Sequence, residues 1–305
     1  MNSSQLKISI VIPTFNSEQY LPATLRSIAQ QNYQNLEVII IDGGSTDATS
    51  QVVQDFSHLI SRYISEKDKG QLDAVQKGLK IATGDIAHWL NSDDIMMPST
   101  LIEVNRFFFN DPDLDLIYSD NFAFDGAKET LSVGATIKSL SAKDHILFYR
   151  QLYSECVFWR HSRTRFLAED YYSLRIYTDY AFFLNLRQGM RCLWLPKRLG
   201  AFRVRKGQIS EAPAANKKKE FDYIRARALQ TLGWSRTEYK LKRSLHFPSF
   251  FANQIIFPKA QSAARKLHRL LSFDAKRNRQ REIFFKEWLP GEVRDDVKIS
   301  KLLRR

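Results

Sequence analysis

The sequence predicts an α/β fold: a largely parallel sheet flanked by helices, then a smaller antiparallel region, then a basic and mostly helical extension. Three observations carry this. From residue 7 to residue 90, short β-branched apolar runs alternate with segments of helical period, the pattern of right-handed strand–helix–strand crossovers. The acid-rich and Gly-rich turns fall where those strands end, which is where open parallel sheets collect ligands. The charge is also unevenly placed. Residues 1–210 hold 23 Lys and Arg against 23 Asp and Glu, so the whole net charge of +13 lies in residues 211–305.

Lys7-Ile-Ser-Ile-Val-Ile-Pro13 reads as a buried strand that Pro13 stops. A helix follows, with Leu21, Leu25, Ile28 and Ala29 on one face. Leu36 to Ile41 is a second apolar strand ending at Asp42-Gly-Gly-Ser-Thr-Asp47, and a helix runs from about Ala48 to Phe56. Tyr63 to Ser65 is a short third strand. The spacing of Leu72, Val75, Leu79 and Ile81 predicts a helix over 71–82, with Gly84 as its C-cap. Ile86 to Leu90 is a fourth strand, ending at Asn91-Ser-Asp-Asp94. Beyond residue 113 the strand-like pieces shorten to 115–118, 122–124 and 130–133, with a closing pair at 192–195 and 200–204. Tyr177 to Leu186 reads as an amphipathic helix.

With 305 residues, 44% of them hydrophobic, the chain can bury a sizeable core, as one large domain with an extension or as two domains. Cys156 and Cys192 neither build a disulfide framework nor share a metal-type spacing, which fits a reducing cytoplasm. Met1 to Lys7 is polar and leads into a strand, so no signal peptide is expected. No stretch approaches the roughly 18 uncharged apolar residues of a spanning helix, which argues against an integral membrane protein. No Gly-x-Gly-x-x-Gly follows the first strand, which argues against a dinucleotide-dependent dehydrogenase.

Ile12-Pro-Thr-Phe-Asn16, Ile41-Asp-Gly-Gly-Ser-Thr-Asp47, Gly70-Gln-Leu-Asp-Ala-Val-Gln-Lys-Gly78 and Asn91-Ser-Asp-Asp94, in that order, resemble the motifs of glycosyltransferase family 2 over roughly residues 7–210. The resemblance implies a GT-A-type fold, a Rossmann-like mixed sheet flanked by helices. Its donor half would be 1–112 and its acceptor half 113–210, with the extension in 211–305. It also implies the activity. That activity is inverting transfer of a sugar from a nucleotide-diphosphate sugar to a glycan or lipid-linked acceptor hydroxyl, in cell-surface polysaccharide synthesis, with divalent Mg or Mn as cofactor.

In this likeness, residues 91–94 stand at the family's Asp-x-Asp metal motif. A hard dication held by carboxylates neutralises the departing diphosphate. Asp93 is implied as its direct ligand, with Asp94 supporting the loop or a metal-bound water. Asn91 replaces the usual first Asp but can still accept a hydrogen bond or coordinate through its carbonyl, and Ser92 completes the donor side of the loop. Asp42 is implied to bond the donor base or ribose, which suits an acceptor-only carboxylate. Pro13, Thr14 and Phe15 would line the nucleobase pocket, Phe15 packing on the flat base.

Lys69, Gly70, Asp73 and Lys77 open a helix implied to border the diphosphate, where a helix N-terminus attracts phosphate. Asp179 is implied as the catalytic base, taking the acceptor's proton on the face opposite the leaving group. Trp159 falls on the acceptor side, where it can stack on a sugar. Phe202 to Ser210 matches a loop that closes over the donor. There Arg205 replaces a frequent His; it cannot bind metal but can pair with the diphosphate. Plainer readings stand beside these: helix caps for Asp47, Asp94 and Asp179, a core position for Trp159, a solvated surface for Lys77.

Residues 211–305 carry Lys217-Lys-Lys219, His246 to Phe251, Arg265 to Arg269 and Lys276 to Arg281. Basic helices with apolar faces bind anionic membrane surfaces. A cytoplasmic protein, peripheral at the inner face of the membrane, is therefore one expectation, and a solvated extension or oligomer interface is the other. No nucleic-acid motif is present. The rival functions are a nucleotidyltransferase, which wants a Gly-rich basic loop where Pro13 to Asn16 stands, and a non-catalytic nucleotide-sugar-binding or membrane scaffold protein.

Overall fold

A computed structural model of the chain describes residues 5–126, 130–134 and 151–244. Contacts divide the chain into two units, and the first, Met1–Asp125 with Ser132–Arg225, holds the sheet. Strands β1 (Ile8–Thr14), β2 (Leu36–Asp42), β3 (Arg62–Ser65) and β4 (Ile86–Trp89) pair in parallel in the order β3-β2-β1-β4. Every residue of β1 is buried, because strands covered on both faces need apolar residues throughout rather than alternation. The crossovers are made by α1 (Leu21–Ala29), α2 (Thr49–Asp55) and α3 (Gln71–Ile81). Helix α3 lies so close to the sheet that a Cβ at Gly78 would overlap Val11 Cγ1 and stand 3.2 Å from Ile41 Cγ1.

Past β4 the sheet becomes mixed. The short β5 (Ile95–Met96) leads into α4 (Thr100–Asn110) and then β6 (Leu116–Asp125), with β7 (Thr130–Gly134) beside β6 and off the main path. β8 (Val157–Arg160) is antiparallel to both β4 and β6, β9 (Cys192–Arg203) runs parallel to β6, and β5 is antiparallel to β9. The region expected to be antiparallel is therefore only partly so. The pieces foreseen at 115–118 and 122–124 are one strand, β6, and those at 192–195 and 200–204 are one strand, β9. Their shared ladder shifts register on either side of Asp120, and this local irregularity is what splits the sequence pattern. Helix α4 and strand β8 stand where the sequence suggests no element.

Helix α5 (Thr178–Leu186) is not amphipathic, since seven of its nine residues are buried. Phe182 and Phe183 pack against Trp89 of β4 and Trp159 of β8, with ring centroids 5.4–6.1 Å apart. All four rings are fully buried. Aromatic pairs at such spacing add about 0.5–1.5 kcal/mol each beyond area burial, so this cluster pins the middle of α5 to the sheet. Helix α6 (Ala214–Thr231) begins in the same unit. In the second unit, residues 236–244 are helical. The basic clusters expected beyond residue 244 lie outside the described residues. Among the described residues, no helix is long and apolar enough to cross a membrane.

Candidate active site

The strand order reverses at β1 and β4, and a crevice opens beyond such a point at the carboxyl ends of the strands. Register sets Thr14 beside Asp42. The turns after β1 and β2 are stitched together: Gly43 N donates to Thr14 O (2.9 Å), Asn16 N to Ser45 Oγ (2.7 Å), and Thr46 N to Asn16 Oδ1 (2.9 Å). Pro13 and Thr14 are buried, whereas Phe15 is 62% exposed, as a ring that packs on a flat ligand must be. Asp42 accepts from Ser45 N and Oγ on one oxygen (3.0 and 2.6 Å) and from Tyr63 Oη and Ser65 Oγ on the other (3.0 and 2.7 Å). Four protein donors use its acceptor capacity. Asp42 thus shapes the turn, and a ligand reaches it only by displacing a hydroxyl.

Asn91 is the hub of the turn after β4. Its Oδ1 accepts from Trp89 Nε1 (2.8 Å) and Gln71 Nε2 (2.9 Å), and its Nδ2 donates to Asp94 Oδ2 (3.0 Å) and Ser154 Oγ (3.3 Å). Gln71 Oε1 in turn accepts from Thr178 Oγ1 (2.6 Å), the neighbour of Asp179. Ser92 Oγ lies 2.9 Å from Ser17 Oγ, in the turn after β1. Asp42, Asp93 and Asp179 are therefore set on one hydrogen-bonded framework.

Asp179 accepts from Gln151 Nε2 and from Tyr180 N, both at 2.7 Å. Burial pushes its pKa up to about 6, against these hydrogen bonds, which pull it down. Such a carboxylate is ionised at neutral pH yet basic enough to take a proton. Glu155, which no sequence pattern singles out, lies buried nearby in a single turn (Ser154–Cys156) and accepts from Asn121 Nδ2 at 2.7 Å. Burial first, and then the charges of Asp179 and Asp93, push it up to about 7. Both acids thus flank the same enclosed carboxyl.

Of the two metal-ligand candidates implied by sequence, Asp94 is enclosed and Asp93 is ion-paired. Asp94 is 0% exposed. Its oxygens accept from Arg203 N and Asn91 Nδ2, both at 3.0 Å, and burial followed by the charges of Asp93 and Glu155 raises its pKa well above the carboxylate range. It braces the loop against β9. Asn91's carbonyl oxygen is engaged by two N–H donors. Asp93 is partly open to solvent, and its Oδ2 accepts from Arg205 Nε at 3.0 Å. Unit charges 4 Å apart at an effective dielectric of 20 interact by about 4 kcal/mol. A dication at Asp93 would gain about twice that from the carboxylate and lose a comparable amount to the guanidinium. Among the described residues, no group of three His, Cys, Asp or Glu side chains could hold a metal.

Other expectations shift too. Trp159 is 0% exposed and donates to Thr164 Oγ1 at 2.9 Å, so it is a core residue and cannot stack on a sugar. The entrance to α3 is already occupied by protein carboxylates: Gly70 N donates to Asp68 Oδ1 (2.8 Å) and Lys69 N to Asp73 Oδ2 (2.9 Å). Lys77 pairs with Glu66 and Asp73, and Lys69 with Glu169 in an exposed pair that is easily given up. Arg175 takes the place against Gly70, where an added Cβ would stand 2.7 Å from its Nη1. A pocket of about 550 Å³, lined by Leu174, Arg175, Ile176, Ile209, Lys219 and Tyr223 among others, has walls from the segment that leads into Asp179 and from the one that follows Arg205.

Residues 9–179 match the family model described as Glycosyl transferase family 2. The chain belongs to this family. This glycosyltransferase is 32% identical over 191 residues to a PGL/p-HBAD biosynthesis glycosyltransferase of Mycobacterium tuberculosis, an alignment covering 56% of the chain and 70% of the relative. Its fold is similar to that of S. aureus TarS 1-349 in complex with UDP-GlcNAc (TM-score 0.58, 18% identity, 93% of this chain and 81% of that one). It is also similar to mannosyltransferase PcManGT from Pyrobaculum calidifontis in complex with GDP-Man and Mn2+ (TM-score 0.51, 15% identity, 89% of each chain). In two other TarS structures the chain spans 60% and 50% of the TarS chain. At these identities the likeness is one of fold, and the GT-A-type arrangement is the one expected from the sequence.

Proposed function

We propose that this glycosyltransferase moves a sugar from a nucleotide-diphosphate sugar to an acceptor hydroxyl, with Asp179 as the base. The observation that carries this reading is the framework from the turn after β1 through Ser92, Asn91 and Gln71 to Thr178, which joins the turns at the strand ends to a carboxylate with a pKa of about 6. The donor base lies over Phe15, beside Thr14 and the Asp42 turn, with its diphosphate toward Arg205. The acceptor enters from the pocket at Leu174 to Ile176. As its oxygen attacks the anomeric carbon, Asp179 takes the proton, the new C–O bond forms, and the bond to the diphosphate breaks with its electron pair leaving on phosphate. One displacement inverts the anomeric centre.

Glycan or lipid-linked acceptors at the inner face of the membrane agree with the positive charge of residues 211–305, and a role in cell-surface polysaccharide synthesis is the setting in which they would be used. The test is release of nucleoside diphosphate from a panel of UDP-, GDP- and dTDP-sugars, with Asp179→Asn as the blank. One donor should be turned over by the native chain alone, and nuclear magnetic resonance of the product should show inverted configuration. Binding of a nucleotide sugar without any turnover would sink the enzymatic reading and favour a non-catalytic nucleotide-sugar-binding protein.

A further inference from the structure

Arg205 stands where a divalent cation was expected. Its Nε holds Asp93 at 3.0 Å, its backbone N is anchored on Gln208 Oε1 at 3.0 Å, and its guanidinium lies 5.0 Å from the ring of Tyr20. Arg203 braces the same loop, donating from Nε to Asp93 O at 2.8 Å and approaching the Tyr20 ring at 5.0 Å. Among the described residues, nothing is bonded to the two terminal nitrogens of Arg205. A guanidinium oriented by one carboxylate, with its outer N–H groups unspent, presents the planar fork that phosphate oxygens accept in pairs. Asp94 and Asn91, the other candidates for a metal, are spent on bracing the loop.

We infer that Arg205, oriented by Asp93, is the resident cation of this site, and that the donor diphosphate binds and departs without a divalent metal. The inference rests on the nucleotide-sugar reading of the same crevice. Asp93 is then a positioning residue for Arg205 rather than a metal ligand.

Binding of UDP and GDP to the full chain, by calorimetry in excess EDTA and in millimolar Mn2+, tests this directly. The expected result is an affinity that changes less than about threefold between the two conditions. Arg205→Ala should lose at least about tenfold in EDTA, the scale of a hydrogen bond to a charged group. Arg205→Lys should retain part of that affinity, because it keeps a point charge without the fork. Arg205→His, which exchanges the cation for a metal-ligating ring, should bind the nucleotide more tightly in Mn2+ than in EDTA. Native affinity at least tenfold higher in Mn2+ than in EDTA would overturn the inference while leaving the donor reading intact. An Arg205→Ala protein that binds like the native chain in EDTA would overturn it as well. Failure of both nucleotides to bind in either condition would overturn the inference and the donor reading together.

Discussion

Asp179 carries two opposed demands. Its folded-state pKa of about 6 lies above the ~3.9 of an unfolded aspartate. Transfer should therefore rise as pH passes through 6 and level off above it. The same burial costs stability: the cost is complete above pH 6, shrinks as pH falls, and is absent below about pH 4, where the group is protonated in both states. Asp179→Asn should accordingly be more stable than the native chain at pH 8, by up to about 3 kcal/mol and less where solvent reaches the carboxylate, with no gain at pH 3.5. Urea unfolding at the two pH values checks this, and an equal gain at both would refute the burial account. Asn91→Ala should act in the other direction, leaving Trp89 Nε1, Gln71 Nε2 and Asp94 Oδ2 without their partner. Each such enclosed group costs about 1–3 kcal/mol, so the melting temperature should fall. The candidate acids Asp93 and Asp179 stand out in the sequence because one sits in the acid-rich turn after a strand and the other in the first turn of a helix. Glu155 does not, being one acid in a single turn. Nor does the Arg205–Asp93 pair, whose members lie 112 residues apart in the chain.

Among the elements, β1, β2 and β4 were readable because both of their faces are covered, which demands continuous apolar runs. Helix α4 was not, although Leu101, Val104 and Phe108 recur at helical spacing and are buried. Ile102 and Phe109 on its outer side are 50% and 48% exposed and blur the pattern. The four residues of β8 are too few to show a period, and their Trp159 invites a ligand-stacking reading that only burial corrects. Trp159→Ala should lose about 3–5 kcal/mol of stability, as large aromatic deletions in cores do. Trp159→Phe should leave the acceptor KM unchanged once an acceptor is known. A sugar-stacking Trp would give the reverse: a raised KM and an intact melting temperature.

Across the whole molecule, charge and chemistry are segregated along the chain. The first 210 residues balance their charges and contain every acid of the proposed site, while the last 95 carry the full +13. Juxtamembrane basic residues contribute about 1 kcal/mol each near an anionic bilayer. The full chain should therefore float with phosphatidylserine vesicles at low salt, release above about 0.5 M salt as screening shortens the reach of its charges, and ignore neutral vesicles. Equal binding to neutral vesicles would rule out an electrostatic attachment. The order of the motifs foretold the sheet and the family. It did not foretell which carboxylates face the cleft, because that depends on loops from β4, β8 and β9 meeting in space. The proposed transfer requires Asp179 to act at the acceptor rather than to hold the donor. Its most direct test measures nucleoside diphosphate affinity and donor turnover on one preparation of Asp179→Asn. Affinity should stay within about threefold of the native chain while turnover falls at least a hundredfold, on the scale expected for a lost general base. Turnover at the native rate, or affinity and turnover lost together, would contradict it.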